Sequence, residues 1–137
     1  MELTGGCYCR KLRYRIDKEP RMKAMCLCRE CQHVAGGGPN VIMSVPEEGF
    51  TYTQGEPRSF ARSDLAEPAS REFCGECGTH ILTRSPRAPG FALVKVGSLD
   101  DPSAFGMPAI AVHAGEKQAY HCIPEGVRVF EAMIGGG

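Results

Sequence analysis

Short runs in which apolar and polar residues alternate dominate this chain. Leu12, Tyr14 and Ile16 are separated by Arg13 and Arg15, and this period of two predicts a strand with one buried face over residues 10–16. Met22, Ala24 and Cys26 repeat the pattern as a second strand. Further strands are expected over residues 41–45, 50–54, 80–83, 91–96, 109–113 and 127–130, with a short one around 59–61. Turn residues separate them at Pro46, Gly49, 86–90, 100–102 and 124–126. Residues 56–68 are polar and interrupted by proline, which predicts a loop. Residues 32–39 begin like a short helical turn and end in Gly36-Gly37-Gly38-Pro39. No helix longer than about three turns is expected, so the pattern predicts an all-β (mainly β) sandwich or barrel-like fold. Residues 135–137 are expected to fray.

Composition limits what such a fold can be. With 137 residues, 42% of them hydrophobic, the chain is expected to form one domain over 1–137. A domain of this size buries roughly two thirds of its unfolded surface and needs no covalent staple for its core. Sixteen basic residues balance sixteen acidic ones with no long run of either sign, which argues against a nucleic-acid partner. Met1-Glu2-Leu3-Thr4 lacks the basic and apolar regions of a signal peptide, and no apolar stretch approaches the ~20 residues that a bilayer span needs. A soluble cytoplasmic protein without membrane contacts is expected.

The cysteines change the picture. Seven of the eight fall into tight groups, Cys7 and Cys9, then Cys26, Cys28 and Cys31, then Cys74 and Cys77, and Cys122 stands alone. Cytosolic reductants keep thiols free, so clustered cysteines without a secretion signal point to metal rather than to disulfides. Cys7 and Cys9 lie two apart and would point to one side of an extended chain. Cys74-Gly75-Glu76-Cys77-Gly78 has the spacing and glycines of a zinc-knuckle turn. A redox pair is the alternative for a lone CxxC, but redox pairs open a helix within a βαβ pattern, and this one lies between expected strands. Joined to Cys7 and Cys9 it makes a closed four-thiol set, whereas Cys26, Cys28 and Cys31 leave a coordination position open, as catalytic zinc sites do.

Several neighbours are candidates for supporting roles. Glu30, inside the triplet, and His33 and His121 are candidate proton shuttles. His80 follows the knuckle and is expected to brace it. Arg29 is placed to attract an anionic thiol, and Cys122 is expected to be incidental. The glycine-rich stretch after the triplet is either a wall that admits a peptide-like ligand or a flexible connector.

The order Gly5-Gly6-Cys7-Tyr8-Cys9, Cys26-Leu27-Cys28-Arg29-Glu30-Cys31, Phe73-Cys74-Gly75-Glu76-Cys77-Gly78-Thr79 and Gly97-Ser98-Leu99-Asp100-Asp101-Pro102 resembles the glutathione-dependent formaldehyde-activating enzyme (Gfa-like) family. The resemblance implies an Mss4-like zinc-containing β-sandwich of short antiparallel strands. It implies a structural zinc on Cys7, Cys9, Cys74 and Cys77 and a catalytic zinc on Cys26, Cys28 and Cys31; because three ligands bind less tightly than four, partial occupancy of the second site is expected. It also implies carbon–sulfur lyase chemistry that interconverts S-hydroxymethylglutathione with formaldehyde and glutathione, so a small thiol and an aldehyde are the expected partners. Many members carry a tryptophan in the C-terminal segment; this chain reads Glu116-Lys117-Gln118-Ala119-Tyr120-His121-Cys122-Ile123-Pro124 there, a segment expected at the substrate entrance. Two other classes of function fit the same residues: a zinc-stabilised protein-binding module and a metal storage or transfer protein.

Overall fold

Alternation in the sequence becomes alternation in burial. The computed structural model describes residues 1–133, and the tail expected to fray at 135–137 lies outside them. In chain order the strands and the one α-helix of the described residues are β1 (Leu3–Gly6), β2 (Arg13–Ile16), β3 (Met22–Cys26), α1 (Arg29–Val34), β4 (Asn40–Pro46), β5 (Phe50–Gln54), β6 (Arg58–Phe60), β7 (Ser70–Phe73), β8 (His80–Arg84), β9 (Phe91–Lys95), β10 (Ile110–Val112) and β11 (Arg128–Val129). The expectation of a mainly β protein holds. β1 and β7 were not anticipated, because β1 is half glycine and β7 carries Arg71 and Glu72 between residues that are all half-buried.

The strands form two sheets. One has three strands in the order β1-β2-β5, and the other has eight in the order β11-β10-β3-β4-β9-β8-β7-β6. Between them lies the main core, to which the small sheet contributes Tyr14, Ile16 and Phe50 and the large sheet Met43, Val45, Leu82 and Val94. Tyr14 stacks on Phe50 with ring centroids 4.9 Å apart, and Tyr52 meets Phe50 edge-on at 5.0 Å. Burying each such side chain contributes about 1.5–3 kcal/mol. The polar tips are satisfied inside the sandwich: the Tyr52 hydroxyl donates to Glu72 at 2.9 Å, and those of Tyr14 and Ser98 share a hydrogen bond of 2.7 Å.

Not every pairing is antiparallel. β10 runs parallel to both β3 and β11. Residues 96–109 carry the chain from β9 across β4 and β3 before β10 begins, and a crossover of that length brings the chain back running in the same direction, where a tight hairpin would reverse it.

The large sheet's second face positions the chemistry. Cys26 pairs with Asn40, Ile42 with Lys95, Leu93 with Thr83, and Thr83 with Arg71. Because residues two apart on a strand share a face, Cys26, Asn40, Lys95, Thr83 and Arg71 form a polar row across β3, β4, β9, β8 and β7. A hydrogen bond of 2.9 Å from Lys95 Nζ to Thr83 Oγ1 and one of 3.1 Å from Arg71 Nη1 to the same oxygen bind the row together. α1 lies over this face, opposite the main core. No helix is long and apolar enough to cross a membrane among the described residues.

At Gly5 the small sheet closes on the segment after β9. Gly5 bridges to Leu99, and the Asp100 N–H donates to the Thr4 carbonyl at 2.9 Å. A methyl group on Gly5 would overlap the Ser98 carbonyl oxygen and the Tyr14 hydroxyl. Gly5→Ala should therefore destabilise the protein by about 1–3 kcal/mol. Gly97→Ala, whose added carbon meets nothing within 4 Å, should stay within about 0.5 kcal/mol. Chemical denaturation of the two variants checks this, and equal effects would contradict the packing described.

Candidate metal and thiol site

Cys7 and Cys9 do not lie on an extended strand. They sit in the turn between β1 and β2, closed by a 3.0 Å bond from the Arg10 N–H to the Cys7 carbonyl and by the left-handed backbone of Arg10 (φ 69°). Their sulfurs converge because the chain folds over, rather than because the residues are two apart in a strand. The Leu12 N–H then donates to Cys7 Sγ at 3.2 Å. Cys74 and Cys77 occupy the turn between β7 and β8, where Gly78 takes φ 80° and the N–H groups of Glu76 and Cys77 approach Cys74 Sγ at 3.4 and 3.5 Å. Such donors stabilise thiolates.

The two turns meet. The Tyr8 N–H donates to Thr79 Oγ1 at 3.1 Å, which ties the cysteine turn of the small sheet to that of the large one. The sulfurs of Cys7, Cys9, Cys74 and Cys77 all lie within 4.8 Å of one another, with Cys7–Cys9 at 3.5 Å and Cys9–Cys74 at 3.7 Å. Tetrahedral zinc–sulfur bonds of about 2.3 Å put sulfurs about 3.8 Å apart, so this set fits a zinc ion. None of the eight cysteines is in a disulfide.

The second cluster comes from one stretch of chain. Cys26 ends β3, Cys28 is the N-cap of α1 and Cys31 lies in its first turn. Cys28 Sγ accepts from the Cys31 N–H at 3.3 Å, so the helix starts inside the triplet, three residues earlier than the sequence pattern suggests. The three sulfurs lie within 4.8 Å of one another, and a fourth contact comes from Asn40, whose Nδ2 donates to Cys31 Sγ at 3.4 Å. Hydrogen bonds from the Cys26 and Cys28 thiols pull Cys31 down to about 3, while bonds with Cys28 and Cys31, together with burial, push Cys26 upward. Charge settled on Cys31 thus resists ionisation of Cys26 beside it. A divalent cation removes that resistance, so the donor set suits a soft metal ion with three protein ligands.

Gln32, which the sequence pattern does not single out, fixes the helix. Its Nε2 donates to the carbonyls of Leu27 (2.8 Å) and Glu116 (2.9 Å), and its Oε1 accepts from Arg29 and Gln118. The glycine-rich stretch is held as well: the Gly37 carbonyl accepts from the Tyr120 hydroxyl at 2.9 Å and from His121 Nε2 at 2.7 Å. The other ring nitrogen of His121 accepts from the Gln118 N–H at 2.8 Å. Both nitrogens are engaged, so His121 clasps the end of α1 and has none free to shuttle a proton. Cys122 is exposed and belongs to neither cluster.

Beside α1 opens a cleft of about 530 Å³ between the helix and the hairpin of β6 and β7. Three candidates reach it: Arg29, Glu30 and His33 line one wall, and Arg71, Arg62 and His80 contribute the others. Glu30 pairs with Arg71. His33 donates or accepts through Nδ1 with the Arg29 carbonyl at 2.8 Å. His80 does not brace the knuckle: its ring stacks on Phe73, and its buried Nδ1 has no partner among the described residues. Burial, with the positive charges of Lys95 and Arg71, holds the His80 imidazole below its usual range, so it is neutral near pH 7. None of residues 116–124, expected at a substrate entrance, lines this cleft.

Fold and site together define a β protein with two cysteine clusters able to hold metal ions. The chain belongs to the glutathione-dependent formaldehyde-activating enzyme family, whose profile matches residues 2–116. Its fold is similar to the crystal structure of a Rhodobacter sphaeroides protein, with a TM-score of 0.62 and 16% identity over 77% of this chain and 96% of that one. No curated protein matches the sequence.

Protein stripped with a chelator should take up close to one cobalt(II) or zinc ion per cluster, two in all. Uptake must displace thiol protons, so it should tighten as pH rises. Metal content and the sulfur-to-cobalt absorption band check this; absence of that band would remove the thiol clusters as metal sites.

Proposed function

We propose that the protein is a zinc-dependent carbon–sulfur lyase that makes and breaks the adduct of a small thiol and an aldehyde, S-hydroxymethylglutathione being the model. The observation that carries this reading is the three-thiol cluster of Cys26, Cys28 and Cys31, one ligand short of the four-thiol set of Cys7, Cys9, Cys74 and Cys77. The family's name, with glutathione and formaldehyde in it, supports the substrate pair.

The division of labour follows from position. Cys7, Cys9, Cys74 and Cys77 join turns of different sheets, so a zinc there is structural. Cys26, Cys28 and Cys31 lie on neighbouring elements of one sheet's outer face, where losing metal leaves the sandwich intact. Zinc held by these three would supply a fourth position in which an entering thiol loses its proton. In the cleavage direction the carbon–sulfur bond of RS–CH2–OH breaks, its electron pair stays on sulfur, and the hydroxyl loses its proton as the carbonyl forms. Glu30 or His33, both at the cleft, takes that proton and returns it when the adduct forms again. Lys95, buried without a carboxylate partner and bonded to Thr83, balances the negative charge of the cluster. A small thiol and an aldehyde are thus the partners we assign, with no nucleic acid and no membrane.

Two experiments test the assignment. Cys28→Ser keeps an oxygen that can cap α1, so it should melt within a few degrees of the parent yet lose exchange between glutathione, formaldehyde and their adduct, followed by NMR exchange spectroscopy. Cys74→Ser should lower the melting temperature by well over ten degrees or prevent folding. Equal melting of the two variants would reject the division of labour. Zinc-loaded protein that accelerates no exchange would leave a binding module or a metal-transfer protein in its place.

A further inference from the structure

Around the three-thiol cluster the outer face of the large sheet is apolar on one flank and polar on the other. Val112 lies opposite Cys26 and Ile110 opposite Ala24, and these residues form one packed cluster with Cys26 and Cys31, against which Phe130 rests. On the other flank Asn40 lies opposite Cys26 and donates to Cys31 Sγ at 3.4 Å. Ile42, two residues further along the same strand, lies opposite Lys95. Lys95 therefore stands on the same face as Asn40, one strand further from the thiols.

Lys95 is a cation whose negative partner is not a carboxylate. It is 9% exposed, donates to Thr83 Oγ1 at 2.9 Å and meets no carboxylate among the described residues. Arg71 donates to the same oxygen but is answered by Glu30. Burial lowers the Lys95 ammonium to about 8, while the charges of Cys31, Cys26 and Cys28 oppose that lowering. The amine is thus cationic at neutral pH and feels all three sulfurs. A buried ammonium is costly unless negative charge offsets its desolvation, and here the negative charge is on sulfur.

Three thiolates on a divalent cation leave one net negative charge. A thiolate as fourth ligand makes it two, whereas a neutral ligand leaves it at one, so a buried cation close by discriminates between the two kinds of ligand. The same distinction separates the intact adduct, whose sulfur is a neutral sulfide, from the products of its cleavage, in which the sulfur keeps the electron pair. Charge appears on sulfur as the carbon–sulfur bond breaks, and a cation already fixed in place stabilises the cleaved state over the intact one.

We infer that Lys95 is the fixed counter-charge of the fourth ligand, and that it makes the cluster of Cys26, Cys28 and Cys31 select an anionic sulfur over neutral ligands. The inference rests on the lyase reading above and gives that site a specificity-determining residue that is neither one of the clustered thiols nor part of the cleft beside α1.

Cobalt-loaded protein tests this through its absorption, with two probes titrated at one pH: 2-mercaptoethanol, which coordinates as a thiolate, and imidazole, which coordinates as a neutral ligand. In Lys95→Met the thiol should bind about tenfold or more weakly than in the parent, and imidazole should change by less than about twofold. Lys95→Arg retains the charge and should keep the thiol affinity within about threefold of the parent; a tenfold loss there would overturn the inference. Lys95→Gln, neutral and still able to donate to Thr83, should behave as Lys95→Met does and takes its place if that variant does not fold. Unchanged thiol affinity in the neutral variants would overturn the inference and leave the lyase reading standing, as would equal losses of thiol and imidazole, which mark a purely structural lysine. A parent protein whose absorption does not respond to 2-mercaptoethanol would remove the lyase reading itself, and this inference with it.

Discussion

Seven sulfur atoms are packed into two clusters, the sulfurs of each within 4.8 Å of one another, so negative charge on one member opposes negative charge on its neighbours. Within the triplet, charge placed on Cys31 is charge withheld from Cys26. Within the quartet, Cys77 is drawn down to about 5, first by the Thr79 hydroxyl, while Cys9 is pushed up to about 12 by burial and by its sulfur neighbours, against the Lys11 N–H that favours its ionisation. The surrounding structure accommodates that constraint. Turns aim N–H groups at sulfur, a buried amide donates to Cys31, and a lysine is buried in the sheet face without a carboxylate.

The two clusters sit differently in the architecture. The quartet lies where the turns of two sheets meet, so its integrity and the packing of the sandwich are linked. The triplet lies on the large sheet's other face, where Cys26 and Cys31 pack with Ala24, Ile110 and Val112 in a smaller apolar cluster, and Gln32 and the His121 clasp hold its short helix in place. A helix of six residues has little stability of its own, so these tertiary hydrogen bonds set the positions of Cys28, Glu30 and Cys31.

Much of this was legible in the chain, for reasons that can be named. Strands such as β2 and β5 follow from residues of alternating polarity, and the CxxC between β7 and β8 follows from its glycines. Strands β1 and β7 were not legible, because glycine in one and half-buried charged residues in the other erase the period-two signal. Cys7 and Cys9 were expected on an extended strand; spacing alone does not separate that from a turn, and Arg10 adopts a left-handed conformation that no sequence pattern marks. His80 was expected to brace the knuckle but faces the cleft, since a shift of register between Glu72 and Phe73 changes the pairing beside it.

Local chemistry therefore determined which residues are ligand candidates and that strands would carry them, because thiol spacing and side-chain alternation act over only a few positions. Tertiary structure decided what those ligands face. Asn40, Lys95, Thr83 and Arg71 come from four strands and fall into one row only through register between segments far apart in the chain. The partnership of Arg71 with Glu30 spans 41 positions. Hydrogen-bond register across a sheet depends on the folding of the whole chain, so no window of sequence contains it.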